Sequence, residues 1–137
     1  MSLDKSFFNY FEKRRLYKNK YPEKSWGEID IKIFLDDNNI EYDEEVNASL
    51  KNNKTNYSID IRVDFYIPKC NLIIEYNGEQ HYKPIYKFGG ILAFEKQQER
   101  DSFLRDACKE NNINLIEIPY YDSTDKYYKQ ILELYNT

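Results

Sequence analysis

The sequence predicts an α/β fold, a central mixed β-sheet flanked by helices, and three observations carry that expectation. Residues 58–67 alternate, with Ile59, Ile61, Val63, Phe65 and Ile67 on one side and Asp60, Arg62, Asp64 and Tyr66 on the other. That is the period of a half-buried strand. Leu72-Ile73-Ile74 is apolar without alternation, as in a strand covered on both faces. Helical patterns stand before, between and after these strands, in the order helix, helix, three strands, helix, strand, helix, which places helices on both faces of one sheet.

In chain order, residues 4–19 read as a first helix, with Phe7, Phe8, Phe11 and Tyr10 toward its buried side. Tyr21-Pro22 ends it, because the residue before a proline is driven out of the helical region. Ser25-Trp26-Gly27-Glu28 has the S-x-x-E form of a capping box and opens a helix to about Asp37, with Trp26, Ile29 and Ile33 on one face. Asn38-Asn39 closes that helix. A short strand is expected at Glu41–Val46, then a polar loop or hairpin turn at Asn47–Asn56. The alternating strand follows and Pro68 stops it. The apolar strand ends at Glu75-Tyr76-Asn77-Gly78, where Asn-Gly marks a turn. An irregular stretch, Glu79–Gly90, leads to a long helix at about Leu92–Glu110, a strand at Asn114–Ile118 stopped by Pro119, and a terminal helix at Thr124–Tyr135.

At 137 residues and 41% hydrophobic, the chain is long enough to bury a core as one domain without disulfides or structural metal. Its organisation reads as a basic N-terminal helix over 1–24, a core over 25–121 and a terminal helix over 122–137. The two cysteines, Cys70 and Cys108, form no CxxC pair, which removes a cysteine zinc site and gives no sign of an oxidising compartment. No stretch has the length to span a bilayer, and the N-terminus lacks a signal-peptide run. A soluble, intracellular, cytoplasmic protein is expected, with no membrane partner.

The net charge of −4 argues against a nucleic-acid partner until its distribution is considered. Residues 1–24 hold seven Lys and Arg against three acids, a local net of +4, which leaves −8 for the rest. A basic arm that tracks a phosphate backbone and a merely solvated helix both fit this pattern. The 14 tyrosines admit the same two readings, a nucleic-acid groove or ordinary interior.

The chemistry is concentrated between Asp64 and Asp101. Asp64 is on the polar face of its strand, and Glu75 ends a strand too apolar to need a carboxylate for solubility. Paired strands would bring these acids together, where they repel unless a cation stands between them. Oxygen ligands of this kind select Mg²⁺ or a similar hard ion. His81, the only histidine, follows the Asn-Gly turn and titrates near neutrality, as a base for an attacking water requires. Asp101 has helical spacing to Phe94, Leu104 and Cys108, which sets it at or beside the inward stripe, where an acid needs a partner. For Glu28 the capping box is a sufficient structural account.

These residues carry a resemblance. Val63-Asp64-Phe65-Tyr66-Ile67-Pro68 and Leu72-Ile73-Ile74-Glu75-Tyr76-Asn77-Gly78-Glu79-Gln80-His81 resemble the core of PD-(D/E)XK-like nucleases. The similarity is to the branch that holds the very-short-patch-repair endonuclease and phage EDxHD homing endonucleases. Glu28, Asp64, His81 and Asp101 stand at that branch's Glu, Asp, His and Asp positions. Residues 100–120 resemble the family's closing helix and strand, so the likeness runs from about Ser25 to Tyr121. It implies a restriction-endonuclease-like core and metal-dependent hydrolysis of a DNA phosphodiester with Mg²⁺ or Mn²⁺. Asp64 would be the principal metal ligand, Glu75 a second ligand or acidic support, and His81 the general base. Glu28 and Asp101 would hold metal-bound waters or orient His81, and Gln80 would position the phosphate. The family's usual Lys, two residues after the second acid, is Asn77 here, which fits the branch that uses histidine.

Tyr82-Lys83-Pro84-Ile85-Tyr86-Lys87-Phe88 interleaves bases with aromatics, either to meet DNA or to pin a loop. The rival readings are a restriction or recombination nuclease of the same fold and a catalytically inactive module that binds nucleic acid or protein. RNA remains open as substrate, since a phosphodiester site does not itself read the sugar. High sequence specificity in so small a chain would call for a homodimer or a separate specificity domain. A phage, a mobile element or a host repair system would each be a source for such a chain.

Overall fold

A computed structural model describes residues 5–52 and 56–137, with side chains described from residue 9. The chain divides after Glu41 into two compact units.

The first unit holds helices α1 (Lys5–Lys20) and α2 (Trp26–Asp37). At the start of α2 Ser25 Oγ accepts from Glu28 N–H at 3.2 Å, and Glu28 reaches back to Ser25, completing the capping box read from the sequence. Ile29, Ile31, Ile33 and Leu35 of α2 are all fully buried, a wider apolar surface than one stripe. Two expectations are corrected here. Trp26 is exposed, because Arg14 and Lys18 lie over its ring at 4.4 and 5.2 Å and hold it at the surface as a cation platform. Phe11 and Tyr10 are exposed as well, since α1 meets α2 through polar contacts. Arg14 makes a two-point contact with Asp30, Tyr10 donates to Asp30, Lys13 pairs with Asp37 and Tyr17 donates to Asp36. The side chains of Phe7 and Phe8 lie outside the described residues. These pairings engage Lys13 and Arg14 of the basic arm with acids of α2.

The second unit is a four-stranded mixed sheet flanked by helices, in the order β1 (Asp43–Asn52), β2 (Tyr57–Ile67), β3 (Leu72–Asn77), β4 (Asn114–Pro119). The first two pairings are antiparallel and β3–β4 is parallel. Helix α3 (Gly90–Glu110) makes the crossover between the parallel strands, as such a connection requires. Helix α4 (Tyr128–Tyr135) closes the chain after a 3-10 turn over Thr124–Tyr127, with Ile131 fully buried.

Strand β1 runs through the segment expected to be a polar loop. Asp43 through Asn52 pair with β2, and Val46, Ala48 and Leu50 alternate inward among Asn47, Ser49 and Lys51. Leu50, Ile61, Val63, Ile73, Leu104 and Cys108 form one core cluster. Burial pushes the Cys108 thiol up to about 11, which marks it as a packing residue. Among the described residues no helix is long and apolar enough to cross a membrane.

Candidate active site at a fork in the sheet

The β2–β3 ladder pairs Ile67 with Leu72, Tyr66 with Ile73 and Phe65 with Ile74, and then stops. Continued by one residue, the register sets Asp64 opposite Glu75. There the strands part, and side chains take over from the backbone ladder. Asp64 N–H donates to Glu75 Oε2 at 3.0 Å, and Tyr76 N–H donates to Asp64 Oδ2 at 2.8 Å. The β1–β2 ladder also omits the pair at Asp64, and the residue of β1 facing it in register, Glu45, has φ of 51°. A left-handed glutamate inside a strand is uncommon and carries strain, and strain of this kind gathers at functional positions. The sheet therefore breaks regularity on both sides of Asp64.

Glu75 is buried and Asp64 half-buried. Burial, together with the adjacent Asp64 carboxylate, pushes the Glu75 carboxyl up to about 8. Arg100 of α3 opposes this from the fork. Its Nη2 donates to Glu75 Oε1 at 3.2 Å and to the carbonyl of Arg62, on β2 just before the break. Its Nη1 reaches Asp101 Oδ1 at 3.4 Å.

His81 lies in a 3-10 turn, Glu79–His81, directly after β3. Its Nδ1 stands 2.8 Å from Asp101 Oδ2, and both side chains are largely buried. Asp101 Oδ1 also accepts from Gln97 Nε2 at 2.9 Å, one helical turn earlier. Burial alone would raise the Asp101 pKa, but the hydrogen bonds from His81 and Gln97 and the charges of His81 and Arg100 outweigh it and hold the carboxyl below its usual value. Asp101 is thus a carboxylate near neutral pH, so His81 Nδ1 carries the proton between them. The imidazole lone pair is then on Nε2.

Asp64, Glu75, His81 and Asp101 accordingly converge, linked through Arg100. Glu28 belongs to the first unit, where the capping box engages it. Gln80 precedes His81 and its amide makes no hydrogen bond to the described residues, while its side chain lies close over Gly78. Asn77, at the position where the resembled family has Lys, is buried and donates from its amide to the Tyr82 hydroxyl. Two members of the site are not singled out by the sequence. Gln97 is one turn before Asp101, a spacing that points to it once Asp101 is suspected. Arg100 has no such signal, because neighbours on a helix do not generally share a face.

Past His81, Tyr82, Tyr120 and Tyr121 form an exposed trio with ring centroids 5.4–5.9 Å apart. Tyr86 and Phe88 of the same segment are exposed too, so part of the aromatic run is not pinned to the body.

Among the described residues no three His, Cys, Asp or Glu side chains form a ready metal cage. The Asp64–Glu75 pair still suits a hard cation that keeps most of its water, which needs only one or two carboxylates. Two acids held together, with the Glu75 carboxyl pushed upward, are the donor set such an ion relieves.

Comparison with known proteins finds viral relatives. The chain is 47% identical over 66 residues to uncharacterized protein 307L of Invertebrate iridescent virus 6, a match covering 47% of this chain and 34% of that protein. It is 34% identical over 102 residues to uncharacterized protein 033L of Invertebrate iridescent virus 3, covering 70% of this chain and 50% of that one. Uncharacterized protein 094L of Frog virus 3 is 42% identical over 62 residues, covering 44% and 40%. The chain therefore spans half or less of the length of these relatives. No family model and no solved structure matches it.

Proposed function

We propose that the unit from Tyr42 onward is a metal-dependent endonuclease with a restriction-endonuclease-like core, hydrolysing phosphodiester bonds of DNA. One observation carries this reading: a carboxylate pair and a His–carboxylate pair meet around a single arginine, at the one place among the described residues where two strand ladders break. Asp64 and Glu75 would hold Mg²⁺ or Mn²⁺, which when bound stabilises charge on a phosphoryl oxygen and lowers the pKa of a bound water. His81 Nε2 takes the proton of the attacking water. Asp101 fixes the ring's tautomer and orientation and stabilises the imidazolium that results. Arg100 ties both pairs to the sheet through the Arg62 carbonyl and limits the repulsion at Glu75. Gln80, beside His81 and with an amide that bonds none of the described residues, contacts a phosphate oxygen. Glu28 is assigned a water-holding or orienting role by resemblance alone. With Asn77 engaged by Tyr82, proton abstraction falls to His81.

The viral relatives support a viral or host-cell setting over a bacterial one. Nicking of supercoiled plasmid with Mg²⁺ or Mn²⁺ tests the proposal, with wild type beside Asp64→Ala and His81→Ala. Metal-dependent nicked or linear product, lost in both variants while their folded spectra persist, is expected. Cutting unchanged in either variant overturns the site, and no cutting by wild type under either metal favours an inactive binding module.

A further inference from the structure

We propose that Tyr82 is the acid of the reaction, its hydroxyl giving a proton to the oxygen that leaves phosphorus when the strand is cut. The inference rests on the nuclease reading and supplies the other half of its proton traffic. Hydrolysis of a phosphodiester needs one group to take a proton from water and another to give one to the departing sugar oxygen. His81 has the first task. The second has no residue yet.

Tyr82 stands where such a donor is needed. It follows His81 directly, and the two ring centroids are 6.4 Å apart. Its hydroxyl meets the side chain of Asn77. Asn77 and Glu75 are alternate residues of β3, so their side chains leave one face of the strand, about 7 Å apart along it. The hydroxyl is thereby set beside the carboxylate pair, and the Asp101 charge acts on it as well. Hydrogen bonding leaves its proton available. Asn77 is buried and donates from its amide to the Tyr82 oxygen. A phenol oxygen accepts through its lone pairs and keeps one O–H, and no described residue takes that hydrogen. Burial raises the phenol above its ordinary range, and neighbouring Tyr121, Glu117 and Asp101 add to this, so the hydroxyl is protonated at neutral pH.

Other donors near His81 are committed elsewhere. Arg100 serves Glu75, Asp101 and the Arg62 carbonyl, and Lys83 pairs with Glu79 at 2.5 Å in an exposed position. The amides of Gln80 and Gln97 have no proton to transfer near neutral pH. In the step itself, water attacks phosphorus as His81 Nε2 takes its proton. The bond from phosphorus to the leaving oxygen breaks, its electron pair goes to that oxygen, and the Tyr82 proton completes a free hydroxyl. The Asn77 amide holds the tyrosinate until a proton from solvent restores it, and His81 returns its own proton to solvent.

The test compares two leaving atoms at one cut. The nick that wild type makes in plasmid is mapped, and the chemical ends identify the bridging oxygen that leaves. The same sequence is remade as two duplexes, one with that oxygen and one with sulfur in its place, because a thiolate departs without a proton. Single-turnover rates in Mn²⁺ are measured for wild type and Tyr82→Phe, with Tm and duplex affinity in EDTA beside them. Tyr82→Phe keeps the ring in the aromatic trio, so affinity should be unchanged. It is expected to slow the oxygen duplex by about 10²-fold or more, the scale of a lost general acid. The sulfur duplex should be cut within about twofold of the wild-type rate. If Tyr82 only positions Asn77 and through it Glu75, both duplexes slow equally, and that result overturns the proposal. Unchanged cutting of the oxygen duplex overturns it too. No nick by wild type under either metal defeats the nuclease reading and this step with it, whereas nicking without an effect of the leaving atom defeats the acid alone.

Discussion

Asp64 and Glu75 are bound crosswise at the fork of the sheet. The amide of Asp64 donates to the Glu75 carboxylate, and the amide of Tyr76, which follows Glu75, donates to the Asp64 carboxylate. Each acid satisfies a backbone donor where the ladder has ended. The arrangement sets two acids side by side in a partly buried place, and the electrostatic cost of ionising both is the fork's most testable property.

That cost has a definite sign. Glu75 has its carboxyl raised from 4.5 to about 8 by burial and by Asp64. Below pH 4.5 folded and unfolded chains both hold the proton, so nothing is lost. Between 4.5 and 8 the unfolded chain releases it and the folded chain retains it, so stability falls as pH rises, and the full cost is present above 8. Glu75→Gln should therefore raise Tm at pH 8.5 in EDTA and change it little at pH 5. A bound divalent ion must displace the same proton, so Mn²⁺ should raise the wild-type Tm more at pH 8.5 than at pH 6. Thermal melts at these pH values check both. Equal gains for Glu75→Gln at pH 5 and 8.5 would remove the coupled pair from the account.

Asp101→Asn separates orientation from binding. An asparagine amide turned to donate to His81 Nδ1 moves the imidazole proton to Nε2, where the base must be free. Cleavage is expected to fall on the order of 10³–10⁴-fold, the scale seen when a histidine base is held in the wrong tautomer. Metal-induced Tm shifts and duplex affinity should stay at wild-type values. Single-turnover rates beside those two measurements decide it, and a rate within about twofold of wild type would show that Asp101 does not direct the base.

Arg100→Gln removes the cation that faces Glu75 and Asp101 and reaches the Arg62 carbonyl. Loss of a group that supports ligands and base costs about 10–100-fold in activity or metal affinity. Without Arg100 the Glu75 carboxyl rises further, so the apparent pKa of the low-pH limb of the cleavage profile should shift upward. A pH–rate profile of variant against wild type measures it. An unmoved limb with reduced rate would leave Arg100 only a packing role.

Much of this site is legible in the sequence, for reasons visible in particular residues. Asp64 and Glu75 interrupt apolar patterns, and β2 and β3 pair antiparallel, so placing the acids together needs only the alternation of β2 and the apolar run of β3. Asp101 is found by helical period, and its burial follows. Strand β1 is harder, because Val46, Ala48 and Leu50 are spaced among Asn, Ser and Lys, and pairing with β2 overrides a composition that reads as loop. Trp26 reads as core by its helical spacing to Ile29 and Ile33, yet the cations above its ring hold it at the surface. Arg100 is invisible, because its value lies in joining Arg62 and Glu75, on two strands distant in sequence, to its neighbour Asp101.

Glu28 is the residue whose two roles most need separating, and the capping box supplies the means. Its side chain and the Ser25 hydroxyl close the box together, so either loss should frustrate the start of α2. Ser25→Ala is expected to cost roughly 0.5–2 kcal/mol, a drop of a few degrees in Tm, and to leave the cleavage rate of the folded fraction unchanged. Glu28→Gln keeps the box, because glutamine at that position also reaches back to the cap, so its Tm should match wild type. It removes the negative charge, however, and with it the means to hold a metal-bound water. The proposed role for Glu28 therefore requires that Glu28→Gln lower cleavage by about tenfold or more at unchanged Tm. Melting curves and single-turnover rates on the same two proteins settle the point. If Glu28→Gln cuts like wild type, the capping box is a sufficient account of Glu28, and the chemistry belongs to Asp64, Glu75, His81 and Asp101.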